Sequence, residues 1–329
     1  EGVSKMQKLQ MATQEGNNVA VVAVRSNFDD CQSAVKTIFT SDACKEELEK
    51  RGYILSSANS INFGRLAPQI AYYFSAYLDL VSSGQIQLGD KVNFAVPTGN
   101  FGNILAAYYA MRMGLPVGRL VCASNKNNIL TDFFRTGVYD KRREFYKTMS
   151  PSMDILISSN LERLLFELSG RNAVRTKLRM DKLKEDGVYE IYDEEKEEIS
   201  KLFYADYCGE DETVETIYEF FEEYQYPMDT HTACAMYAAA NYMEKEKDRD
   251  TPMVVVSTAS PYKFPQDVMY ALTGNDIKDS FKAIKHLNLT TAMKVPKNLA
   301  GLRDKKVRFD IVADKDKLYP EVLKFAEKK

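Results

Sequence analysis

Seven consecutive residues, Pro97-Thr98-Gly99-Asn100-Phe101-Gly102-Asn103, have the types and spacing to hold a phosphate. The run before them, Val92 to Val96, is short, apolar and rich in β-formers, which predicts a strand buried on both faces of a parallel sheet. From Ile104 the apolar residues return at helical spacing, through Leu105, Tyr108, Tyr109 and Met111. A strand, a glycine turn and a helix start leave N–H groups unpaired at the positive end of a helix dipole, and that is an anion site. Glycine also lets the backbone come close to a ligand. The same pattern fits a plain strand-to-helix connection. No lysine opens the helix and there is no G-x-G-x-x-G, so a nucleoside triphosphate is not the expected ligand.

A second group of polar residues, Asn59, Ser60, Asn62 and Arg65, converges just before a long helix. That helix carries an apolar stripe of Leu66, Ile70, Tyr73, Phe74, Tyr77 and Val81, with Pro68 near its start where a missing N–H costs least. The group is either a helix cap beside a surface arginine or a second anion site, since guanidinium offers a two-pronged donor to phosphate. Further on, Asp229-Thr230-His231-Thr232 opens a helix over Ala233 to Tyr242. His231 there is a general base, or a structural donor or cap. Pro252 to Ser257 predicts a buried strand that delivers Thr258-Ala259-Ser260-Pro261. With two histidines and no His/Cys cluster at ligand spacing, no metal site is expected.

Other elements must position these groups. Ser4 to Gln14 predicts a helix and Val19 to Val24 a buried strand. A helix opens at Asn27-Phe28-Asp29-Asp30 with Ala34, Val35 and Ile38 inward, and Asp42 to Arg51 is another, ended by Gly52. Tyr53 to Leu55 and Arg119 to Ser124 are predicted strands. Asn127 to Thr136 is a helix ending at Gly137, the TGVYDKR segment is a loop, Met153 to Ser159 a strand and Asn160 to Ser169 a helix. Strands alternating with helices mean a parallel sheet with right-handed crossovers. Residues 181–223 hold 17 Asp and Glu against 4 Lys. That run is the solvated side of a small helical insert or an acidic partner-binding face. Beyond Tyr262 the chain is helical and basic, with one strand at Val307 to Val312 and His286 at the surface.

The 329 residues are enough for two domains. A net charge of −3 gives no reason to expect nucleic acid or an anionic membrane, and no apolar run reaches the roughly 18 residues of a membrane span. Five scattered cysteines without a C-x-x-C fit reduced structural thiols, so the expected compartment is the cytoplasm.

Eight blocks, in order, resemble threonine synthase of the long-chain bacterial and fungal type. They are GVSKMQKLQMATQEG, RSNFDDCQ, SSANSINFGR, PTGNFGN, RTGVYD, DILISSNLERLL, DTHTA and STASPYKF. The resemblance runs from Gly2 to about Phe264. It implies an α/β protein of the tryptophan-synthase-β-like fold (fold type II of pyridoxal-phosphate enzymes), with two parallel-sheet lobes and a helical insert. The implied domains are residues 1–58, the remainder of a small lobe; 59–265, a cofactor-binding domain with an insert at about 176–227; and 266–329, a helical extension. The implied reaction converts O-phosphohomoserine and water to threonine and phosphate with pyridoxal 5'-phosphate as cofactor. By resemblance Gly99, Asn100, Phe101, Gly102 and Asn103 cradle the cofactor phosphate, and Thr258 meets the pyridine nitrogen. Asn59, Ser60 and Arg65 hold the substrate phosphate. The implied partner is that small molecule alone, for a monomer or homodimer.

Two departures stand out. Ser260 replaces the histidine of the STAHP block found in many relatives. The family's cofactor-bonding lysine lies in a Phe-Lys-Asp block, and that block and the Ser-Gly-Asp-Thr carboxylate loop belong upstream of Gly2. The expectation is a C-terminal portion of the enzyme with no catalytic residue of its own, inactive alone. The competing expectation is a non-catalytic phosphate-ligand-binding protein of the same fold. A phosphate-loop nucleotide binder is disfavoured by the missing lysine.

Overall fold

The computed structural model describes residues 5–26, 28–57 and 62–327. Asn27, Asn59 and Ser60, and the side chains of Asp29 and Asp30, lie outside that description. The chain divides into two compact units, residues 58–277 and residues 1–57 with 278–329. The segment expected to form an extension from residue 266 therefore packs, from Lys278 onward, with residues 1–57. None of the described helices is long and apolar enough to cross a membrane.

The larger unit is built on a four-stranded parallel sheet in the order Phe203–Tyr207, Val117–Ser124, Val92–Pro97, Met253–Val255. Val92–Pro97 lies inside it with all six residues buried, because helices cover both faces. On one face Phe94 and Val96 pack with Ile104, Leu105 and Tyr108 of helix Gly102–Arg112. On the other, Ala95 packs with Ala235, Ala238 and Tyr242 of helix Thr230–Lys245. The alternation follows from the two-residue period of a strand. Met253–Val255, expected to be buried, is a half-buried edge strand.

One polar residue in the central strand has a structural duty. Asn93 is 1% exposed. Its Oδ1 accepts the Arg119 N–H at 2.7 Å and its Nδ2 donates to Asp248 at 2.9 Å. The ladder register shifts between Val92 and Phe94 at this point, so the side chain replaces a backbone acceptor. The neighbouring position has to be Gly118, where a Cβ would lie 2.4 Å from Asn93 Oδ1.

Several predicted elements differ. Residues 176–227 are not wholly helical: Phe203–Tyr207 is a strand of the main sheet. The segment after Gly137 is not a loop, since Val138–Asp140 pairs antiparallel with Val188–Glu190. The facing Tyr139 and Tyr189 rings stack 5.2 Å apart, a cross-strand contact that favours pairing. Residues 153–159 form no strand. A 3-10 turn at Pro151–Met153 leads into irregular backbone. The Asp154 carboxylate there takes hydrogen bonds from Asn125, Asn127 and Thr148. Such side-chain bonds compete with a ladder.

In the smaller unit the strand expected at 19–24 reduces to Ala23–Val24, paired in parallel with Val312–Ala313. The strand expected at 307–312 reduces to that same pair. Among the described residues, the expected second parallel-sheet lobe is this two-residue ladder. Residues 53–55 form no strand, and Ile54 is 88% exposed. Ile38 is buried in helix Phe28–Thr40, but Val35 faces outward.

Replacing Asn93 by Leu should leave the Arg119 N–H and one Asp248 oxygen without this partner. The expected cost is about 1–3 kcal/mol, read as a lower urea midpoint at unchanged slope.

Candidate phosphate site at the glycine turn

The turn sits where the buried central strand ends and helix Gly102–Arg112 begins. Phe101 is its N-cap, with φ of 62° in the left-handed region and no side-chain cap hydrogen bond. A non-glycine residue in that conformation costs roughly 1–2 kcal/mol. The Phe101 ring is 1% exposed, stacked on Phe134 at 5.9 Å and tilted against Phe203 at 6.1 Å. Burying a phenylalanine returns about 1.5–3 kcal/mol, which offsets the strain. Any role of Phe101 toward a ligand therefore falls to its backbone.

Glycine is required at 99 for a different reason. A Cβ there would lie 2.5 Å from the Ser152 carbonyl oxygen and 3.2 Å from the Met153 Cα. Residues 148–160 run past the turn as a strap and hold it from both sides. Ser158 Oγ donates to the Gly99 carbonyl at 2.7 Å, and both the backbone N–H and the Nδ2 of Asn160 donate to the Asn100 carbonyl. Ser159 Oγ reaches Asn100 Oδ1 at 3.2 Å. Tyr73 Oη lies 2.5 Å from Asn103 Oδ1 and 3.1 Å from the Asn103 carbonyl. Burial pushes the Tyr73 phenol far above its ordinary range, so it stays a donor. At the carboxyl end of the adjacent strand, Ser124 Oγ is buried with no hydrogen-bond partner among the described residues. Burial pushes the Cys122 thiol up to about 12, against a hydrogen bond with Thr98. Cys122 is structural.

The other expected site residues are placed unequally. Thr258 follows the strand neighbouring Val92–Pro97 and is exposed. Thr258 and the glycine turn thus leave the same carboxyl edge of the sheet, where open α/β sheets bind ligands. Arg65 is exposed in the first turn of helix Phe63–Ser82, which Asn62 caps by accepting the Gly64 N–H at 3.0 Å. Phe63, two residues earlier, packs edge-on against Tyr109 at 6.3 Å. That helix start therefore lies beside the body of helix Gly102–Arg112, away from the glycine turn itself. Asn59 and Ser60 lie outside the described residues.

Ser260 accepts the Tyr262 N–H at 3.3 Å and caps the short turn Pro261–Lys263. His286 is exposed. His231 is 3% exposed, between Asp229 Oδ1 at 3.0 Å from Nδ1 and the Ser152 backbone N at 3.1 Å from Nε2. Sequence reasoning assigned no role to Ser152, Ser158 and Asn160. The signal that could have found them is the polar run Ser158-Ser159-Asn160 before a helix, which suits capping better than a strand.

Gly99→Ala should cost about 1–3 kcal/mol of stability through this overpacking. Denaturant unfolding of the variant against the parent chain reads it directly.

A family model described as "Threonine synthase, C-terminal" matches residues 232–320. Human "Threonine synthase-like 1" is 43% identical over 281 residues, covering 85% of this chain and 37% of that protein. Threonine synthase of Pseudomonas aeruginosa is 41% identical over 272 residues, covering 83% and 55%. The structure of pyridoxal-phosphate-bound threonine synthase from Brucella melitensis superposes with a TM-score of 0.83 at 36% identity, over 98% of this chain and 63% of that one. The yeast enzyme gives 0.83 at 31%, over 99% and 63%. The chain spans only 37–55% of the length of these curated relatives. Its fold is that of the solved threonine synthases, fold type II. By sequence and fold the chain is similar to the threonine synthases over part of their length, and residues 232–320 match the model of their C-terminal domain.

Proposed function

We propose that this chain forms the cofactor-phosphate and substrate-phosphate part of a threonine synthase, a pyridoxal-phosphate-dependent carbon–oxygen lyase that converts O-phosphohomoserine and water to threonine and phosphate. The observation that carries the reading is the helix start at Gly102. It has no side-chain cap, lies at the end of a buried strand, and is anchored by the buried Phe101 ring. The residues present fit the cofactor. The first-turn N–H groups, with Gly99, Asn100, Phe101, Gly102 and Asn103, would hold its phosphate as charge-assisted hydrogen bonds. The buried Ser124 hydroxyl beside the turn adds a donor at the same edge. Bound pyridoxal phosphate supplies an electron sink for carbanion chemistry on an amino acid. The Thr258 hydroxyl, at the neighbouring strand end, would orient the ring by a neutral hydrogen bond at its nitrogen. Arg65, with Asn59 and Ser60, would bind the substrate phosphate.

We place the cofactor-bonding lysine outside these residues, because the sequence holds no Phe-Lys-Asp block. Borohydride treatment of the chain with pyridoxal phosphate should then leave no single lysine stoichiometrically labelled. Specific labelling of one would return the nucleophile to this chain. The scattered thiols, without a C-x-x-C, support a cytoplasmic setting; a monomer or homodimer is proposed with it. A second reading, a phosphate-ligand-binding protein of the same fold without the lyase reaction, is kept because the 43%-identical relatives are named threonine synthase-like. Release of phosphate and threonine from O-phosphohomoserine by the full-length protein separates the two.

The two anion sites are tested by two variants of the full-length protein. Arg65→Lys keeps the charge and loses the guanidinium fork, so substrate binding should weaken by about 1–3 kcal/mol with cofactor affinity unchanged. Gly102→Val should do the reverse, since a side chain at the turn blocks close approach. Both dissociation constants for both variants decide it. Loss of pyridoxal phosphate from Arg65→Lys would refute the division of the two sites.

A further inference from the structure

His231 lies in the first turn of helix Thr230–Lys245, nearly fully buried. A backbone N–H only donates, so the Ser152 N–H at 3.1 Å makes Nε2 an acceptor carrying no proton. The ring proton then sits on Nδ1 and donates to Asp229 Oδ1 at 3.0 Å. The Asp229 carboxylate is itself fixed by the His231 N–H at 2.9 Å and by the Thr232 hydroxyl. Both imidazole nitrogens are thus committed inside the protein, and neither is free to move a proton for a ligand. The general-base reading of His231 has no geometry to support it.

The imidazole does hold the strap. Ser152 lies between His231 and the glycine turn: its N–H meets Nε2, and its carbonyl oxygen abuts Gly99. A second tie, Thr230 Oγ1 to the Met149 carbonyl at 2.8 Å, fixes the strap three residues earlier to the same helix turn. Beyond Ser152 the strap bonds Gly99 and Asn100 through Ser158 and Asn160. We infer that His231 is a positioning residue for the phosphate turn, acting as a neutral acceptor that seats Ser152 against Gly99. The inference rests on reading that turn as the cofactor-phosphate cradle.

Two substitutions separate this role from plain packing. In His231→Asn the amide nitrogen takes the place of Nδ1 and keeps the Asp229 bond, but nothing reaches Ser152. In His231→Gln the amide oxygen reaches the place of Nε2 and accepts the Ser152 N–H. Amide hydrogen exchange across residues 98–104 of the cofactor-free full-length protein is measured together with its dissociation constant for pyridoxal phosphate. His231→Asn should raise both by about tenfold, the equivalent of one neutral hydrogen bond. His231→Gln should stay within about threefold of the parent. Equal effects of the two variants, or unchanged exchange at the turn in His231→Asn, would overturn the assignment. If the full-length parent protein does not bind pyridoxal phosphate while the exchange pattern appears as described, the cradle reading fails and the positioning role stands. Nitrogen-15 shifts of the parent imidazole give a check that needs no variant: a bare Nε2 and protonated Nδ1 support the assignment, and the opposite tautomer refutes it.

Discussion

The candidate site depends on one constraint: a phenylalanine held in a left-handed backbone conformation because its ring belongs to the core. Phe101 carries the turn from the buried strand into the helix start. Phe134 and Phe203 stack at 4.7 Å beneath it, so the ring enters an aromatic pile fed by three separate elements. A glycine at 101 would relieve the strain and lose the anchor. The left-handed step that opens the helix is therefore held by hydrophobic packing.

The rest of the unit stiffens that arrangement from two sides. Beneath, Asn93 closes the ladder where the register shifts and ties the central strand to Asp248, which also accepts from Tyr242 of helix Thr230–Lys245 at 2.7 Å. Above, the strap takes its shape from the Asp154 carboxylate, which gathers Asn125, Asn127 and Thr148. Buried polar networks of this kind are costly when incomplete and specify a single arrangement when complete. The strap is irregular backbone with a defined position, which suits a wall that must meet Gly99 without a side chain between.

The strands Val92–Pro97 and Val117–Ser124 and the helices around them were legible because unbroken apolar runs and 3.6-residue stripes are local signals. The glycine turn was legible for the same reason. The buried ring of Phe101 was not, since nothing local distinguishes a ligand-facing aromatic from a core one in a turn. Residues 153–159 look like a strand by composition, but Asp154 draws hydrogen-bond donors from about thirty residues upstream. The role of His231 stayed open because a tautomer is decided by what lies opposite each nitrogen, here a backbone group 79 positions away. The acidic run misled in part: Phe203–Tyr207 sits within it, and its sheet partner Val117–Ser124 is distant in sequence.

Because Gly99, Ser152 and His231 touch in series, the turn closes only when three distant parts of the chain have met. The separations are large, and the entropy of closing such loops is lost before the contacts reward it. During synthesis, residues 97–103 emerge well before the helix Thr230–Lys245 that completes their surroundings. The central strand and its following helix can form early, from neighbouring residues. The glycine turn gains its full set of contacts only once that helix is in place. Order in that turn is thus a reporter of complete folding of the unit.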